Sequence, residues 1–153
     1  MSGIRILIDA DACPVKEEVY KVAFRRNVPV KVVSNSRMRL PDHPLVERVL
    51  VSDRFDAADD WIVGAADSRT VVVTSDILLA DRCLKEGAAV IGNNGKPFTG
   101  ASIGAAIATR AIMADLRAGG NVVGGPAPFA KADRSRFLQA LDEMLVRLER
   151  QQR

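Results

Sequence analysis

The hydrophobic pattern of the chain begins with a short apolar run that ends abruptly in acidic residues. Ile6-Leu7-Ile8 is followed at once by Asp9 and, two positions later, by Asp11. Consecutive apolar residues are typical of a strand buried on both faces, as in a parallel sheet. Pro14 favours the start of a helix, because the first helical position needs no N–H donor. We therefore expect a buried strand, a turn with two carboxylates and then a helix.

The next segments alternate between helical and strand patterns. Apolar residues at positions 15, 19, 22 and 23 lie on one helix face, which predicts an amphipathic helix to about Arg26. Val28–Val33 and Val46–Val51 are predicted strands. The polar segment between them, Ser34–Pro44, contains prolines and the only histidine, His43. It is predicted to be an exposed loop, with the histidine exposed as well.

The second half of the chain continues this alternation. The predicted elements are a helix starting near Asp56, a strand at Thr70–Thr74, a helix at Ile77–Glu86, a strand at Ala88–Ile91, a turn at Gly92–Gly95, a helix at Ala101–Ala118, a loop at Gly119–Ala132 and an amphipathic helix containing Phe137 and Leu148. Strands that alternate with helices predict a parallel, doubly wound sheet. We expect one α/β domain over residues 1–153, with a central, mostly parallel sheet of about five strands and a helical C-terminal extension.

The composition narrows the class of protein. A chain of 153 residues with 48% hydrophobic and 27% charged residues is not a disordered protein, and it fits one domain. No apolar run approaches the roughly 18 residues of a membrane span, and no signal-peptide pattern begins the chain. Two cysteines, Cys13 and Cys83, indicate no disulfide framework. These features predict a cytoplasmic protein, and the net charge of +3 only mildly favours a polyanionic partner.

Acidic residues follow three of the predicted strands. The set comprises Asp9, Asp11, Asp56, Asp59, Asp60 and Asp76. The carboxyl ends of parallel strands meet at one edge of a sheet, so these carboxylates are expected to converge there. Positions 56, 59 and 60 are helical neighbours and should share a face. The alternative for each acid alone is a helix cap or a solvated first-turn residue.

Clustered carboxylates repel one another, so some of them must take up protons or share a cation. Mg²⁺ and Mn²⁺ prefer oxygen ligands, and two such ions roughly 3.5–4 Å apart activate water in phosphodiester hydrolysis. The acidic set therefore predicts a metal-binding site with hydrolytic chemistry.

Four motifs give the chain a family resemblance. They are Asp9-Ala-Asp-Ala-Cys-Pro-Val-Lys16, Phe55-Asp-Ala-Ala-Asp59, Val73-Thr-Ser-Asp-Ile-Leu-Leu-Ala80 and Gly124-Gly-Pro126. Together they resemble the bacterial YaiI/YqxD family, which in turn resembles PIN-like domains. Most PIN-like proteins are metal-dependent ribonucleases with a three-layer fold. The resemblance covers nearly the whole chain and implies Mg²⁺ or Mn²⁺ as cofactor and RNA as partner.

The resemblance also assigns roles to individual residues. It implies metal ligands at Asp9, Asp76 and one of Asp56 or Asp59, with Thr74 and Ser75 beside them at the substrate. Asp9, Asp11 and Asp76 would be catalytic, and Asp11 is an addition of this family that would act as a ligand or position water. The early glutamate of PIN-like sites has no match, because Glu17 and Glu18 lie within the predicted first helix.

Two other functions fit parts of the pattern. Arginines, among them Arg37 and Arg110, would bind the substrate backbone in the nuclease, and they would contact phosphates in a non-catalytic RNA-binding module as well. At 5%, aromatic residues are too few for sequence-specific reading of single strands. Asp9-Ala-Asp11 also resembles the DxD motif of haloacid-dehalogenase-type phosphatases. Cys13 stands where that motif has Thr or Val, and the Asp59-Asp60 pair precedes Thr74-Ser75, the reverse of the phosphatase order.

Cys13 itself has two interpretations. A thiol near a helix N-terminus is activated when its pKa falls, whereas a small residue packed in the turn is inert. The sequence favours packing, because no base is evident nearby.

Overall fold

The chain alternates strands and helices along most of its length. The computed structural model describes residues 3–118 and 129–152. In order, the elements are β1 (Arg5–Asp9), a 3₁₀ turn (Ala10–Ala12), α1 (Lys16–Arg26), β2 (Val30–Ser34), β3 (Val46–Leu50), α2 (Ala57–Ala65), β4 (Thr70–Val73), α3 (Ile77–Lys85), β5 (Ala89–Ile91), β6 (Pro97–Phe98), α4 (Gly100–Ala118) and α5 (Lys131–Gln151).

One six-stranded sheet runs through the described residues in the order β3-β2-β1-β4-β5-β6. The first five strands are parallel, and β1 lies between β2 and β4, where Ile6 is in register with Val30 on one side and Val71 on the other. The mostly parallel α/β sheet predicted from the sequence is confirmed. Because the chain proceeds from β1 to β2 on one side and returns to β4 on the other, the edge beyond β1 and β4 is a topological switch point.

The sixth strand was not predicted. Gly95 closes the turn after β5 with φ of +82°, a conformation that glycine adopts without steric cost, and its N–H donates to the carbonyl of Gly92. The turn sends the chain back so that Phe98 pairs with Val90 in the antiparallel sense. A two-residue strand that begins with proline has too little pattern to be recognised in a sequence.

The central strands are buried on both faces, as their unbroken apolar runs predict. Ile6 and Ile8 face a core shared with α1 and α5, whereas Leu7 faces a second core shared with α2, α3 and α4. The C-terminal helix is therefore one wall of the core, where Phe137 and Leu141 are fully buried. These three layers are consistent with the PIN-like fold that the resemblance implies.

Ion pairs join the two helices of the first layer. Arg134 of α5 lies 3.0 Å from the buried carboxylate of Glu18 in α1 and also donates to the carbonyl of Pro14. Arg26 donates two 2.8 Å hydrogen bonds to Asp142. These contacts hold α5 against α1, and Arg134 also holds it against the turn that follows β1.

Several local expectations are wrong. Pro14 lies in a turn, and α1 begins only at Lys16. His43 is half-buried and stacks on Phe24, with ring centroids 3.9 Å apart, because α1 offers an aromatic partner that sequence spacing does not reveal. Helix α5 already starts at Lys131, inside the predicted loop.

The rest of that predicted loop, with Gly124-Gly-Pro126, lies outside the described residues. Among the helices that are described, none has the length and apolarity needed to span a bilayer.

Candidate functional site

The site is built where β1 and β4 end. Oγ1 of Thr74 donates a 2.8 Å hydrogen bond to Oδ2 of Asp9, the last residue of β1, and accepts one from the backbone N–H of Asp76. Thr74 is only 1% exposed, so its hydroxyl orients Asp9 and does not itself reach solvent. The predicted substrate contact of Thr74 is therefore indirect in this structure.

The surroundings of Asp9 disfavour the ionised form of its carboxylate. Partial burial raises its pKa above the ordinary aspartate value, and the negative charges of Asp76 and Asp11 raise it further. The hydrogen bond from Thr74 opposes these effects by stabilising the ionised form. Asp9 thus carries its charge at a cost, which a bound cation would relieve.

Asp76 combines a structural and a site position. Its Oδ1 accepts hydrogen bonds from the N–H groups of Leu78 and Leu79, so the carboxylate caps α3. The capping alternative is confirmed, yet the side chain is exposed and also lines a cleft with Asp56 and Asp59.

Asp56 precedes α2 without capping it. Its φ of +68° is in the left-handed region, and its side chain makes no capping hydrogen bond. Asp59, in the first turn of α2, has its pKa raised to about 6, first by burial and then by the charges of Asp76, Asp9 and Asp56. The carboxylates from three segments therefore act on one another, as their predicted convergence requires.

The cleft that these acids line has a volume of about 420 Å³. Its walls come from α2, α3, α4 and the turn before α2, through Phe55, Asp56, Asp59, Asp76, Leu78, Leu79, Arg82 and Arg110. Of the two predicted substrate-binding arginines, Arg110 lines the cleft and Arg37 does not. Arg37 is exposed on the loop after β2.

Two predicted acids have other partners. Asp60 pairs with Arg82 at 3.0 Å and Arg54 at 3.6 Å, so the helix face expected to carry three carboxylates brings only Asp56 and Asp59 to the cleft. Asp11 accepts a 2.7 Å hydrogen bond from Oγ of Ser34 and a longer one from the N–H of Asn35. Its carboxylate thus joins the end of β1 to that of β2, and its catalytic role stays a prediction.

The loop after β5 contributes residues that sequence reasoning assigned only to a turn. Oγ of Ser75 accepts a hydrogen bond from the N–H of Asn93, whose Nδ2 donates to the carbonyl of Ala12. Oδ1 of Asn93 is buried without a hydrogen-bond partner. Arg82 and Phe55 of the cleft were missed as site residues too, although Leu78 and Arg82 share the i, i+4 spacing of one helix face.

The acidic residues fit a cation that keeps most of its water ligands. Within residues 3–118 and 129–152, no three His, Cys, Asp or Glu side chains are arranged to hold one metal ion. Mg²⁺ usually keeps several waters and takes only one or two carboxylates from the protein. The mutual repulsion of Asp9, Asp59 and Asp76 therefore fits a largely hydrated divalent cation and not a closed protein cage.

Cys13 is packed and inert, as the sequence favours. Burial raises the pKa of its thiol to about 11, which outweighs the opposite effect of the Val15 backbone and Lys16. Cys83 is buried as well, and both cysteines are free. The activated-thiol alternative is therefore wrong for Cys13.

Known proteins resemble this chain over almost its entire length. The family model described as "Uncharacterized BCR, YaiI/YqxD family" matches residues 7–147. A UPF0178 protein of Sphingopyxis alaskensis is 72% identical over 151 residues, which are 98% of each chain. UPF0178 proteins of Nitrobacter winogradskyi and Bradyrhizobium diazoefficiens are 53% and 57% identical, over 98% and 95% of this chain and 96% and 87% of their own. No solved structure matches it. The chain belongs to the YaiI/YqxD family.

Proposed function

We propose that this protein is a divalent-cation-dependent nuclease that hydrolyses RNA phosphodiesters in the acidic cleft. The observation that carries the proposal is the coupling of carboxylates from three chain segments. Asp59 has its pKa raised to about 6 by burial and by the charges of Asp76, Asp9 and Asp56. A folded protein tolerates such repulsion mainly at sites that use it, and divalent cations are the ligands that remove it.

The proposal gives tasks to the acids and Arg110 of the cleft, and to Asp9, whose charge acts on Asp59. Asp9, Asp59 and Asp76, with Asp56 beside them, would hold Mg²⁺ or Mn²⁺ through a few direct oxygens and water. When bound, the cation would supply Lewis-acid stabilisation of the phosphate and an acidified water. Thr74 orients Asp9 through its 2.8 Å hydrogen bond, and Arg110 supplies a positive charge for the substrate phosphate.

A non-catalytic RNA-binding module is the second candidate. Arg110 has no ion pair or hydrogen bond to any other described residue, so its charge is available to a phosphate. The phosphatase alternative is less well supported, because it needs the carboxylate of Asp11 free to act as the acid. The carboxylate of Asp11 instead contacts Ser34 and Asn35.

A cytoplasmic site of action belongs to the same proposal. Both cysteines are buried and free, as is usual for proteins of reducing compartments.

Cleavage of a labelled, mixed-sequence RNA tests the proposal. With Mg²⁺ or Mn²⁺ the purified protein should cleave it, with EDTA it should not, and Asp59→Asn should lower the rate by at least roughly tenfold to hundredfold. Asp42→Asn, which changes an exposed acid outside the cleft, should leave the rate unchanged. RNA that is bound but never cleaved would indicate the binding module. RNA that is neither bound nor cleaved would contradict both.

A further inference from the structure

Phe55 is exposed at the rim of the acidic cleft. Its side chain is 87% exposed, more than any other large hydrophobic residue described, and it lines the same cleft as Asp56 and Asp59. Leu78, 46% exposed on α3, adds a second apolar group to the lining. Single exposed hydrophobic residues are common and need no explanation. An exposed aromatic ring that shares one cleft with carboxylates and arginines is a candidate ligand contact.

The backbone around Phe55 is built to present it. The N–H of Ala57 donates to the carbonyl of Arg54, which closes a turn with Phe55 and Asp56 in the central positions. Asp56 has φ of +68° and ψ of 3°, the values of the third residue of a type II turn, where glycine is usual. Non-glycine residues held at positive φ are uncommon and cluster at functional sites. Ala57, which follows, is buried and anchors the turn to the core.

The neighbouring charges indicate which ligand such a ring would take. Arg110 lines the cleft without an ion-pair partner among the described residues, whereas Arg82 already pairs with Asp60. A nucleotide has both an apolar, flat base for a ring and a phosphate for an arginine. Protein aromatics stack only on bases that are free of a duplex, because paired bases are already stacked.

We propose that Phe55 stacks on an unpaired nucleobase, so that the substrate of the cleft is single-stranded RNA with the adjoining phosphate held towards Arg110. The inference rests on the proposed function, because the carboxylates of the cleft repel phosphate until a cation neutralises them. One aromatic ring accepts every base, so the protein should select for single strands and not for sequence.

Binding of RNA that contains 2-aminopurine tests the inference, because the fluorescence of this base falls when it stacks. Binding is measured in Ca²⁺, so that it is observed apart from cleavage. Cleavage of the same RNA is followed separately with Mg²⁺ or Mn²⁺. Phe55→Ala should weaken binding by roughly 5- to 150-fold and abolish the quenching, whereas Phe55→Tyr should retain both. Phe55→Leu keeps the apolar bulk without the ring and should behave like Phe55→Ala. The exposed position should leave the melting temperature unchanged in all three variants.

Each result decides between the two proposals. If wild type cleaves RNA and Phe55→Ala binds and quenches equally well, the stacking inference is wrong and the proposed nuclease stands. If Phe55 governs quenching but no metal supports cleavage, the stacking inference stands and the nuclease does not. If Phe55→Leu binds and quenches the RNA like wild type, the ring is not used for stacking, and the inference is wrong.

Discussion

Thr74 donates a 2.8 Å hydrogen bond to Oδ2 of Asp9 across two neighbouring parallel strands. The strands are in register up to Ile8 and Val73, so the bond joins the first positions beyond their pairing. It ties the acid on which the proposed chemistry depends to the strand that leads to Asp76. The sheet thus fixes the relative positions of two carboxylates that are 67 positions apart in the chain.

Thr74→Val tests whether this bond controls Asp9. The variant keeps the shape of the side chain but loses the hydroxyl, which both donates to Asp9 and accepts from the N–H of Asp76. The pKa of Asp9 should rise further, because the bond lowers it, and the free energy of unfolding should fall by about 1–3 kcal/mol. NMR titration of the carboxyl carbons and urea unfolding measure the two effects. Thr74→Ser should restore the pKa, and an unchanged pKa in Thr74→Val would contradict the assignment.

Asp59 should make the metal-free protein less stable as pH rises. Its pKa is raised from 3.8 to about 6 on folding, so between these values the folded chain binds more protons than the unfolded chain. The contribution of Asp59 to the free energy of unfolding therefore falls as the pH rises from about 4 through 6, and the penalty is complete about one pH unit above 6. Asp59→Asn should unfold with a free energy higher by about 1 kcal/mol at pH 7.5, because solvent screens this partly exposed group, and with little difference at pH 4. Equal stabilisation at both pH values would show that charge is not the cause.

Arg134 should matter more for stability than its neighbour on the same helix. Arg134→Ala leaves the carboxylate of Glu18 buried without its 3.0 Å ion-pair partner and should cost about 1–3 kcal/mol in urea unfolding. Among the described residues Arg136 pairs only with Asp133, one turn away near the surface, so Arg136→Ala should cost less than about 0.5 kcal/mol. Equal losses in the two variants would mean that the Glu18 contact does not hold α5 in place.

A comparison of Arg110 with Arg37 tests whether RNA contacts an arginine of the cleft or any exposed arginine of the surface. Both were predicted to bind RNA, but only Arg110 lines the cleft. Arg110→Ala should weaken RNA binding and reduce the dependence of log K on log salt by about 0.7, the value for one phosphate contact to a single strand. Arg37→Ala removes the same charge and should have little effect. Titrations at several salt concentrations measure both, and equal effects would place the RNA elsewhere.

The sheet could be predicted because its strands are buried on both faces. The unbroken apolar runs around Leu7 and Val72 have no other stable place than between two helix layers. The same reasoning predicted Asp9 and Asp76 at one edge, since parallel strands end together. The short β6 escaped prediction, because it is made by the left-handed turn at Gly95 and not by a hydrophobic pattern.

Side-chain partners were the part that sequence could not supply. Helical spacing placed Asp60 with Asp59, yet a slightly different direction on the same helix brings Asp60 to Arg82. Asp11 follows Asp9 by two residues, yet it turns towards Ser34 on the opposite side of β1. His43 stacks on Phe24 for the same kind of reason. Such choices depend on which neighbour the tertiary fold places within reach.

A Mn²⁺ titration at neutral pH, followed by calorimetry, tests most directly the claim that Asp9 belongs to a cation site. Asp9→Asn removes the charge while its amide oxygen can still accept the hydrogen bond from Thr74, and Asp42→Asn is the matched control for an exposed acid outside the cleft. We expect wild type and Asp42→Asn to bind Mn²⁺ equally. Asp9→Asn should bind Mn²⁺ at least about tenfold more weakly, which is the usual loss of affinity when a residue of a metal site is changed. Unchanged Mn²⁺ affinity in Asp9→Asn, with the fold intact, would contradict the claim.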